Sequence, residues 1–290
     1  MKVYVTGGTG FVGSHLAHKL VWTGHKVTLG GLSTEGVVDL PEDNVEVEQI
    51  DVTDPETLDF SGHDAVIHLV GLSPLFEPKV PYHKVHVEGT ENVMEACKDA
   101  GITRYIHMSA LGADAKEDTE YLRSKGEAQL LVENSDLDWT VFRPSVIFGE
   151  GGQFIQFNES LLTPFVTGLP GGGRSRFQPI YVEDIGDLFV EAVEEEKHIG
   201  ESYDLGGPET YSLKDIAKMI EKSKGRKLKV LPIPMIFAKI GLTVTEKLGL
   251  KFGLDQYRSL KKDNVTEEND VKHFKKSLTE METLESYLGL

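Results

Sequence analysis

The sequence predicts an α/β fold with a doubly wound, mostly parallel sheet and a small C-terminal lobe. Short β-branched runs alternate with helical patterns over the first two-thirds of the chain. A glycine-rich turn joins the first run to the first helical pattern, and 290 residues give room for one large domain with a lobe. Strand–helix alternation at this spacing is typical of parallel βαβ units with right-handed crossovers.

The predicted elements follow in order along the chain. The stretches that read as strands are KVYVT, KVTLG, VEVEQI, AVIHLV, RYIHMS and WTVFRP. The nearly apolar AVIHLV is typical of a central strand that is covered on both faces. Helical patterns lie between the strands in FVGSHLAHKLVWTG and GTENVMEACKDAG, and each ends at a glycine that can cap the helix.

The texture changes after Pro144, where Gly, Pro and Phe become frequent and the periodicity weakens. We therefore expect a core over residues 1–150 and a mixed region over 151–290 that completes the sheet and forms the substrate lobe. In this region VEDIGDLFVEAVEEE and SLKDIAKMIEKSKG read as helices, and ESYDLGGP reads as a late strand and turn. Ser212 is the expected cap of the second helix, with Asp215 three positions on.

Composition excludes some classes of protein. With 30 basic and 47 acidic side chains the formal charge is −17, which repels polyanions, so no nucleic acid is expected as a partner. The single cysteine, Cys97, permits no intramolecular disulfide and is expected to be a small buried residue. No secretory signal is visible, and the apolar runs are far shorter than the ~20 residues that span a bilayer. A cytoplasmic protein without a transmembrane segment is expected.

The stretch VTGGTGFVGSHL carries Gly7, Gly10 and Gly13 between the first strand and the first helix. One glycine permits the tight turn, one lets the backbone approach a pyrophosphate, and one allows the helix to pack closely on the strand. The amino terminus of the helix then offers free N–H groups to the phosphates. The pattern predicts a Rossmann-type dinucleotide site, which backbone amides can form whatever the net charge.

The end of the second strand bears on the choice of cofactor. Dinucleotide sites often present an acid there to the adenosine ribose, whereas this chain has Gly30 and Gly31. No carboxylate then repels a 2′-phosphate, and Ser33 or Thr34 can donate to one, although no arginine stands there. NAD(P) is therefore the expected cofactor, with NADP slightly favoured over NAD. Further on, Asp51 can accept from the adenine amino group or be an ordinary turn residue.

The stretch YLRSK places Tyr121 and Lys125 four positions apart, which on a helix brings them to one face. The same spacing recurs at Tyr257 and Lys261, but only the first pair follows a predicted strand of the core. A lysine cation within ~4–6 Å favours the phenolate and lowers the tyrosine pKa from ~10. A tyrosine activated in this way can exchange a proton with a substrate oxygen while a cofactor carries the hydride.

Taken together, the motifs resemble a known family. TGGTGFVG, DVTD, VIHLVG, VHVEGTENVMEAC, HMSALGA, YLRSK and FRPSVIFG occur in the order seen in the extended and atypical short-chain dehydrogenase/reductases. SALGA, its short spacer to YLRSK and the late DQYRSLKKDNV are similar to one branch in particular. That branch contains the NAD(P)-binding accessory subunit of respiratory complex I and its prokaryotic, epimerase-like relatives.

The resemblance implies roles for individual residues. It places Gly7, Thr9, Gly10, Phe11, Val12 and Gly13 at the pyrophosphate, Asp51 and Val52 at the adenine, and Val70, Gly71, Pro144, Ser145 and Val146 along the cofactor towards the nicotinamide. Tyr121 and Lys125 match the family's Tyr-x-x-x-Lys, which implies that Tyr121 is the general acid/base and that Lys125 lowers its pKa and holds the nicotinamide ribose. The catalytic hydroxyl is Ser109 in one alignment, while in another that position is Ala110, which has none. His86 stands where many relatives have Asn.

The leading hypothesis is an NAD(P)-dependent oxidoreductase or epimerase/dehydratase that acts on a carbon–oxygen centre of a small molecule. The alternative is an assembly or sensor subunit that binds NAD(P)H without turnover. A homodimer is a candidate assembly, and no metal is expected because the histidine pairs lack further ligands at metal-site spacing. The apolar stretch 230–250 predicts either the wall of the lobe or a helix that binds a partner or a membrane surface.

Overall fold

The computed structural model describes residues 1–34, 44–75, 78–234 and 262–290. A seven-stranded sheet lies at its centre. Its strands are β1 (Lys2–Thr6), β2 (Lys26–Gly31), β3 (Val45–Gln49), β4 (Ala65–His68), β5 (Arg104–Met108), β6 (Asp138–Pro144) and β11 (Glu201–Leu205). The sheet is parallel throughout, with the strand order β11-β6-β5-β4-β1-β2-β3. The predicted doubly wound, parallel fold is confirmed.

Helices cover both faces of the sheet. They are α1 (Phe11–Trp22), α2 (Gly89–Asp99), α3 (Glu120–Glu133), α4 (Gln153–Leu161), α5 (Val182–Glu194), α6 (Leu213–Ser223) and α7 (Leu284–Tyr287). Apolar residues of α1 and α5 pack on one face of the sheet, and those of α2 and α3 pack on the other. This two-sided covering is why β4 and the residues after it, AVIHLV, are apolar apart from His68.

Local signals in the sequence set the helix ends. Gly24 follows α1 with φ +90° and Gly101 follows α2 with φ +72°, the left-handed conformation expected of a glycine past a helix end. The Ser212 hydroxyl accepts from the Asp215 N–H at 3.2 Å at the start of α6, as predicted.

Cys97 is the small buried residue that was expected. It is fully buried in α2, and burial raises the pKa of its thiol to about 12.

Short paired strands follow the core. β7 (Ile147–Phe148) pairs with β10 (Ile180–Tyr181), β9 (Arg176–Phe177) pairs with β12 (Tyr211–Ser212), and β8 (Val166–Pro170) pairs with β13 (Lys229–Ile233). β13 takes up the start of the apolar stretch 230–250. Its remainder from residue 235, together with Tyr257 and Lys261, lies outside the described residues.

Across the described ranges, no helix has both the length and the apolar character needed to cross a bilayer.

Candidate functional site

All strands of the central sheet are parallel, so their carboxyl ends lie along one edge of the sheet. The strand order reverses at β1, which has β4 on one side and β2 on the other. Ligands of doubly wound folds bind in the crevice at such a switch point. The candidate residues that follow β1, β4, β5 and β6 all lie along this edge.

The glycine-rich turn after β1 is held by its own backbone. The N–H of Gly8 lies 3.1 Å from Val5 O and 3.0 Å from Gly30 O, and Gly10 N donates to Gly7 O at 3.0 Å. Gly7 has φ +75°, which a side chain would strain. A Cβ on Gly13 would lie 2.4 Å from Gly7 O, so only glycine lets α1 start this close to the turn.

Gly10 differs from its neighbours because it faces open space. It is exposed, and a Cβ added there would meet only Gly7 O, at 3.1 Å. Gly10 is the N-cap of α1 and supplies no capping side chain, so the first N–H groups of the helix are left for a ligand. This cradle fits a pyrophosphate. Phe11 and Val12 begin the helix, and Phe11 packs edge-on against His15.

The end of β2 has no room for the acid that many dinucleotide sites carry. A Cβ on Gly31 would lie 2.1 Å from Thr9 Oγ1, and a Cβ on Gly30 would lie 2.5 Å from Ile50 and 2.8 Å from Tyr4. Thr9 therefore covers Gly31 directly. Ser33 follows as an exposed residue of the surface.

Asp51 lies in a turn that its own side chain stabilises. Its Oδ1 accepts from the N–H and the hydroxyl of Thr53, both at 2.8 Å. Asp51 is therefore the turn residue that the sequence allowed. The two hydrogen bonds orient its carboxylate through Oδ1 and leave Oδ2 able to accept from a ligand. Val52 is buried, and its carbonyl accepts from Asn92 at 2.9 Å.

Lys125 joins the ends of two strands. It is buried in α3, and its Nζ donates to Met108 O at 3.0 Å and to Val70 O at 3.4 Å. A Cβ on Gly71 would lie 2.8 Å from this Nζ. Burial lowers the pKa of Lys125 to about 8. The structure therefore brings Lys125, Val70 and Gly71 together.

Tyr121 lies one turn earlier in α3 and is half-buried. Its ring packs edge-on against Tyr82, at 5.7 Å between centroids, and against His86, at 5.8 Å. Burial, and after it the neighbouring Tyr82, raises the pKa of Tyr121. The expected lowering by Lys125 is therefore wrong for the chain's own groups, because the ammonium is turned to the strand carbonyls instead.

His86 fastens this helix to the loop after β4. Its Nε2 accepts from Leu72 N at 2.9 Å, and its Nδ1 lies 2.8 Å from Ser124 Oγ, which itself donates to Tyr121 O at 3.0 Å. Because the single Ser124 proton is used, Nδ1 carries the imidazole proton and the ring is neutral. Burial, then the Lys125 charge, lowers the His86 pKa to about 2.

A second buried histidine extends the network beneath the site. His68 Nδ1 lies 2.6 Å from Thr6 Oγ1, and its Nε2 lies 3.2 Å from Thr90 Oγ1, which donates to His86 O at 2.6 Å. His107 stacks on His68 at 5.4 Å. Sequence reasoning missed this network, although a histidine inside each of two apolar strands was a usable signal.

Ser109 follows β5 and is buried, and within the described residues its Oγ has no hydrogen-bond partner. An unsatisfied buried hydroxyl at this edge is consistent with a ligand group as its partner.

Pro144 ends β6, and the next residues are held from the far end of the chain. Asn264 Oδ1 accepts from Ser145 Oγ at 2.7 Å and from Val146 N at 3.1 Å. Asn264 lies in the DQYRSLKKDNV stretch that carries the family resemblance, but its contact with Ser145 was not predicted.

Other candidates do not join the site. Over the described ranges, no group of three or more His, Cys, Asp or Glu side chains is arranged to hold a metal ion. Arg176 of β9 pairs with Asp263 at 2.7 Å on the surface.

The chain is similar in sequence to a known family and to several named proteins. A family model described as NAD(P)H-binding matches residues 7–167, more than half of the chain. In Arabidopsis thaliana, the mitochondrial NADH dehydrogenase (ubiquinone) 1 alpha subcomplex subunit 9 is 25% identical over 289 residues, covering 92% of this chain and 71% of that protein. The mouse protein of the same name is 28% identical over 199 residues, and the alignment covers 67% of this chain and only 50% of the mouse protein.

An enzyme and two enzyme structures are also similar. A 2-alkyl-3-oxoalkanoate reductase from Stenotrophomonas maltophilia is 34% identical over 179 residues, 53% of each protein. The UDP-glucose 4-epimerase of Thermotoga maritima, solved with UDP-glucose, gives a TM-score of 0.66 at 21% identity, covering 81% of this chain and 86% of that one. The Thermus thermophilus UDP-glucose 4-epimerase, solved with NAD, gives 0.63 at 22% identity over the same shares. At these identities the structures establish the fold.

Proposed function

The chain belongs to the NAD(P)H-binding family, and from this premise we propose that it is an NAD(P)-dependent oxidoreductase or epimerase/dehydratase with Tyr121 as its general acid/base. The resemblance to short-chain dehydrogenase/reductases, and to complex I accessory subunits among them, is borne out by the relatives. The individual site residues and the turnover itself are our proposals.

One observation carries the proposal. The Lys125 ammonium lies against the ends of β4 and β5, while Gly7 lies so close to Val70 that a Cβ would be 3.1 Å from its amide. The phosphate cradle and the Tyr121–Lys125 helix therefore meet along one strand edge. This is the arrangement that a dinucleotide would need in order to present its nicotinamide beside Tyr121.

Each group has a distinct role in this proposal. Gly7, Gly10 and Gly13 admit the pyrophosphate, and Lys125 donates to the ribose of the nicotinamide end. Bound NAD(P) would supply hydride transfer at a carbon of the substrate. Tyr121 exchanges a proton with the oxygen on that carbon, and the Ser109 hydroxyl donates a hydrogen bond to the same oxygen.

The remaining candidates line the cofactor in our proposal. Asp51 and Val52 lie at the adenine, Thr9, Phe11 and Val12 lie beside the pyrophosphate, and Val70, Gly71, Pro144, Ser145 and Val146 continue towards the nicotinamide. Ser33 donates to a 2′-phosphate, so NADP is favoured slightly over NAD.

The electrostatics favour proton donation by Tyr121 over abstraction. Burial raises the Tyr121 pKa, so the phenol keeps its proton at neutral pH and gives it up only to an oxygen that becomes strongly basic as hydride arrives. Because His68, His86 and His107 all have lowered pKa values, Lys125 is the cation of this cluster near neutral pH. We therefore favour the reductive direction, in which the substrate oxygen gains a proton.

The second candidate is a subunit that holds NAD(P)H without turnover. It is favoured by the raised Tyr121 pKa, which opposes a phenolate, and by the likeness to a mitochondrial NADH dehydrogenase subunit over most of the chain. In that case Lys125 and the glycine turn keep their binding roles, and Tyr121 only packs beside the cofactor. A cytoplasmic location, a homodimer and the division near residue 150 remain predictions under either candidate.

The two candidates are separated by assaying purified protein against nucleotide sugars and small carbonyl compounds. Activity is followed at the reduced-nicotinamide absorbance, with product analysis for redox-neutral epimerisation. Activity that depends on Tyr121 supports the enzyme. Tight NAD(P)H binding with no turnover of any compound supports the binding subunit.

A further inference from the structure

The ribbon formed by β8 and β13 has two different faces. Leu169 is buried and, together with Leu228 and Val230, packs against α6. Because side chains alternate along a strand, Lys229 and Leu231 face away from α6. Lys229 is the register partner of Val166, so the two side chains lie side by side on the outward face.

This outward face exposes apolar side chains to water. Val166 is 43% exposed, Leu231 is 46% exposed, and Phe165 at the start of the ribbon is 63% exposed. Phe165 has φ 69°, and it is the one residue other than glycine that has a positive φ within the described ranges. Its carbonyl accepts from Lys229 N at 2.8 Å, which fixes the strained backbone. Strain held by the surrounding structure at an exposed aromatic residue points to a function for that side chain.

Positive charge is concentrated in the stretch of chain that leads into β13. Residues 213–230 contain seven basic and two acidic side chains, in a chain whose formal charge is −17. Lys224 pairs with Glu159 and Arg226 pairs with Glu221. For Lys227 and Lys229, both exposed, no ion pair is found within the described part of the chain.

We propose that the ribbon surface, defined as Phe165, Val166, Lys227, Lys229 and Leu231, docks on an anionic lipid surface. Lysines beside exposed aromatic and aliphatic side chains suit the headgroup region, where apolar groups insert and cations meet lipid phosphates. A stable protein partner needs about 800 Å² on each side, more than these few side chains supply. The acidic remainder of the molecule is repelled, so this surface sets the orientation at the lipid.

Sedimentation with vesicles tests the proposal on the full chain. Binding is expected to vesicles of phosphatidylcholine with phosphatidylglycerol, to be absent with phosphatidylcholine alone, and to weaken at high salt. Lys227→Gln with Lys229→Gln should weaken binding about 30-fold, since each lysine near an anionic surface contributes about 1 kcal/mol. Phe165→Ser should weaken it at least about tenfold.

Matched substitutions elsewhere serve as controls. Trp22→Ser removes an apolar side chain that is 90% exposed at the end of α1, and Lys26→Gln removes an exposed cation of β2; neither should alter vesicle binding. Absence of binding to the anionic vesicles, or equal binding by the ribbon variants, would overturn the proposal.

Three further measurements identify another occupant of the surface. Light scattering that finds a dimer dissociated by Phe165→Ser, without vesicle binding, would assign the face to a second copy of the chain. A marked decrease in Tm for Phe165→Ser, again without vesicle binding, would show that the chain itself covers the face. Binding to soluble polyglutamate but not to vesicles would assign it to an acidic protein. Each of these results contradicts lipid docking.

Discussion

The ammonium group of Lys125, in the middle of α3, donates to the carbonyl oxygen of Met108 at the end of β5 over 3.0 Å. Two neighbouring main-chain dipoles hold this cation, because Val70 O lies 3.4 Å away at the end of β4. The charge is thus kept at the strand edge where the proposed nicotinamide would lie. Burial disfavours this charge and lowers the Lys125 pKa to about 8.

Cofactor affinity should therefore depend on pH through Lys125. The lysine is charged below about pH 8 and loses its charge as the pH rises above that value. If the charged form binds, the Kd for NADPH should be nearly constant up to pH 7 and about tenfold higher at about pH 9. Calorimetry across this range measures it. Lys125→Met should bind weakly and without this pH dependence, and an equal rise in that variant would assign the titration to another group.

Gly10→Val should abolish dinucleotide binding while leaving the fold intact. The new Cβ meets only Gly7 O, at 3.1 Å, but its methyl groups enter the space before the N-terminus of α1. NADPH affinity should fall at least 100-fold by calorimetry, with unchanged far-UV circular dichroism. Gly13→Ala is the contrasting variant, because its Cβ would lie 2.4 Å from Gly7 O and the protein itself should be destabilised. Wild-type affinity in Gly10→Val would remove the turn from the site.

NADPH should bind modestly more tightly than NADH. Gly30 and Gly31 present no carboxylate, and Thr9 covers the space where one would stand. Ser33→Asp adds a negative charge at this strand end and should weaken NADPH about tenfold relative to NADH. Fluorescence titration of both reduced cofactors gives the ratio. NADH binding tenfold tighter in the wild type, about 1.4 kcal/mol, would contradict our interpretation of the strand end.

His86→Ala should destabilise the protein by about 2–4 kcal/mol, because it leaves Leu72 N and Ser124 Oγ without their buried partner. Urea unfolding gives the difference in the free energy of unfolding. His83→Ala is the matched control three positions earlier, where the side chain is 57% exposed, and it should change stability by less than about 0.5 kcal/mol. Equal effects of the two substitutions would show that the His86 network contributes nothing specific.

Much of the fold and the cofactor loop could be predicted from local sequence. The strand KVYVT and the glycines that follow it are determined by residues close in sequence, so their pattern predicts the structure. The environment of Tyr121 could not be predicted in this way, because its pKa depends on burial and on Tyr82, which comes from a different part of the chain. Asn264 holds Ser145 across 119 residues of sequence, a contact that no periodicity or spacing records.

The role of Tyr121 is tested most directly by Tyr121→Phe, which removes one hydroxyl and leaves the ring packed against Tyr82 and His86. Once a substrate has been found, turnover should fall by ~10²–10⁴ while NADPH affinity stays within about twofold of wild type. Tyr257→Phe alters the other Tyr-x-x-x-Lys of the sequence and should leave turnover unchanged. Full activity in Tyr121→Phe would contradict the proposed acid/base role.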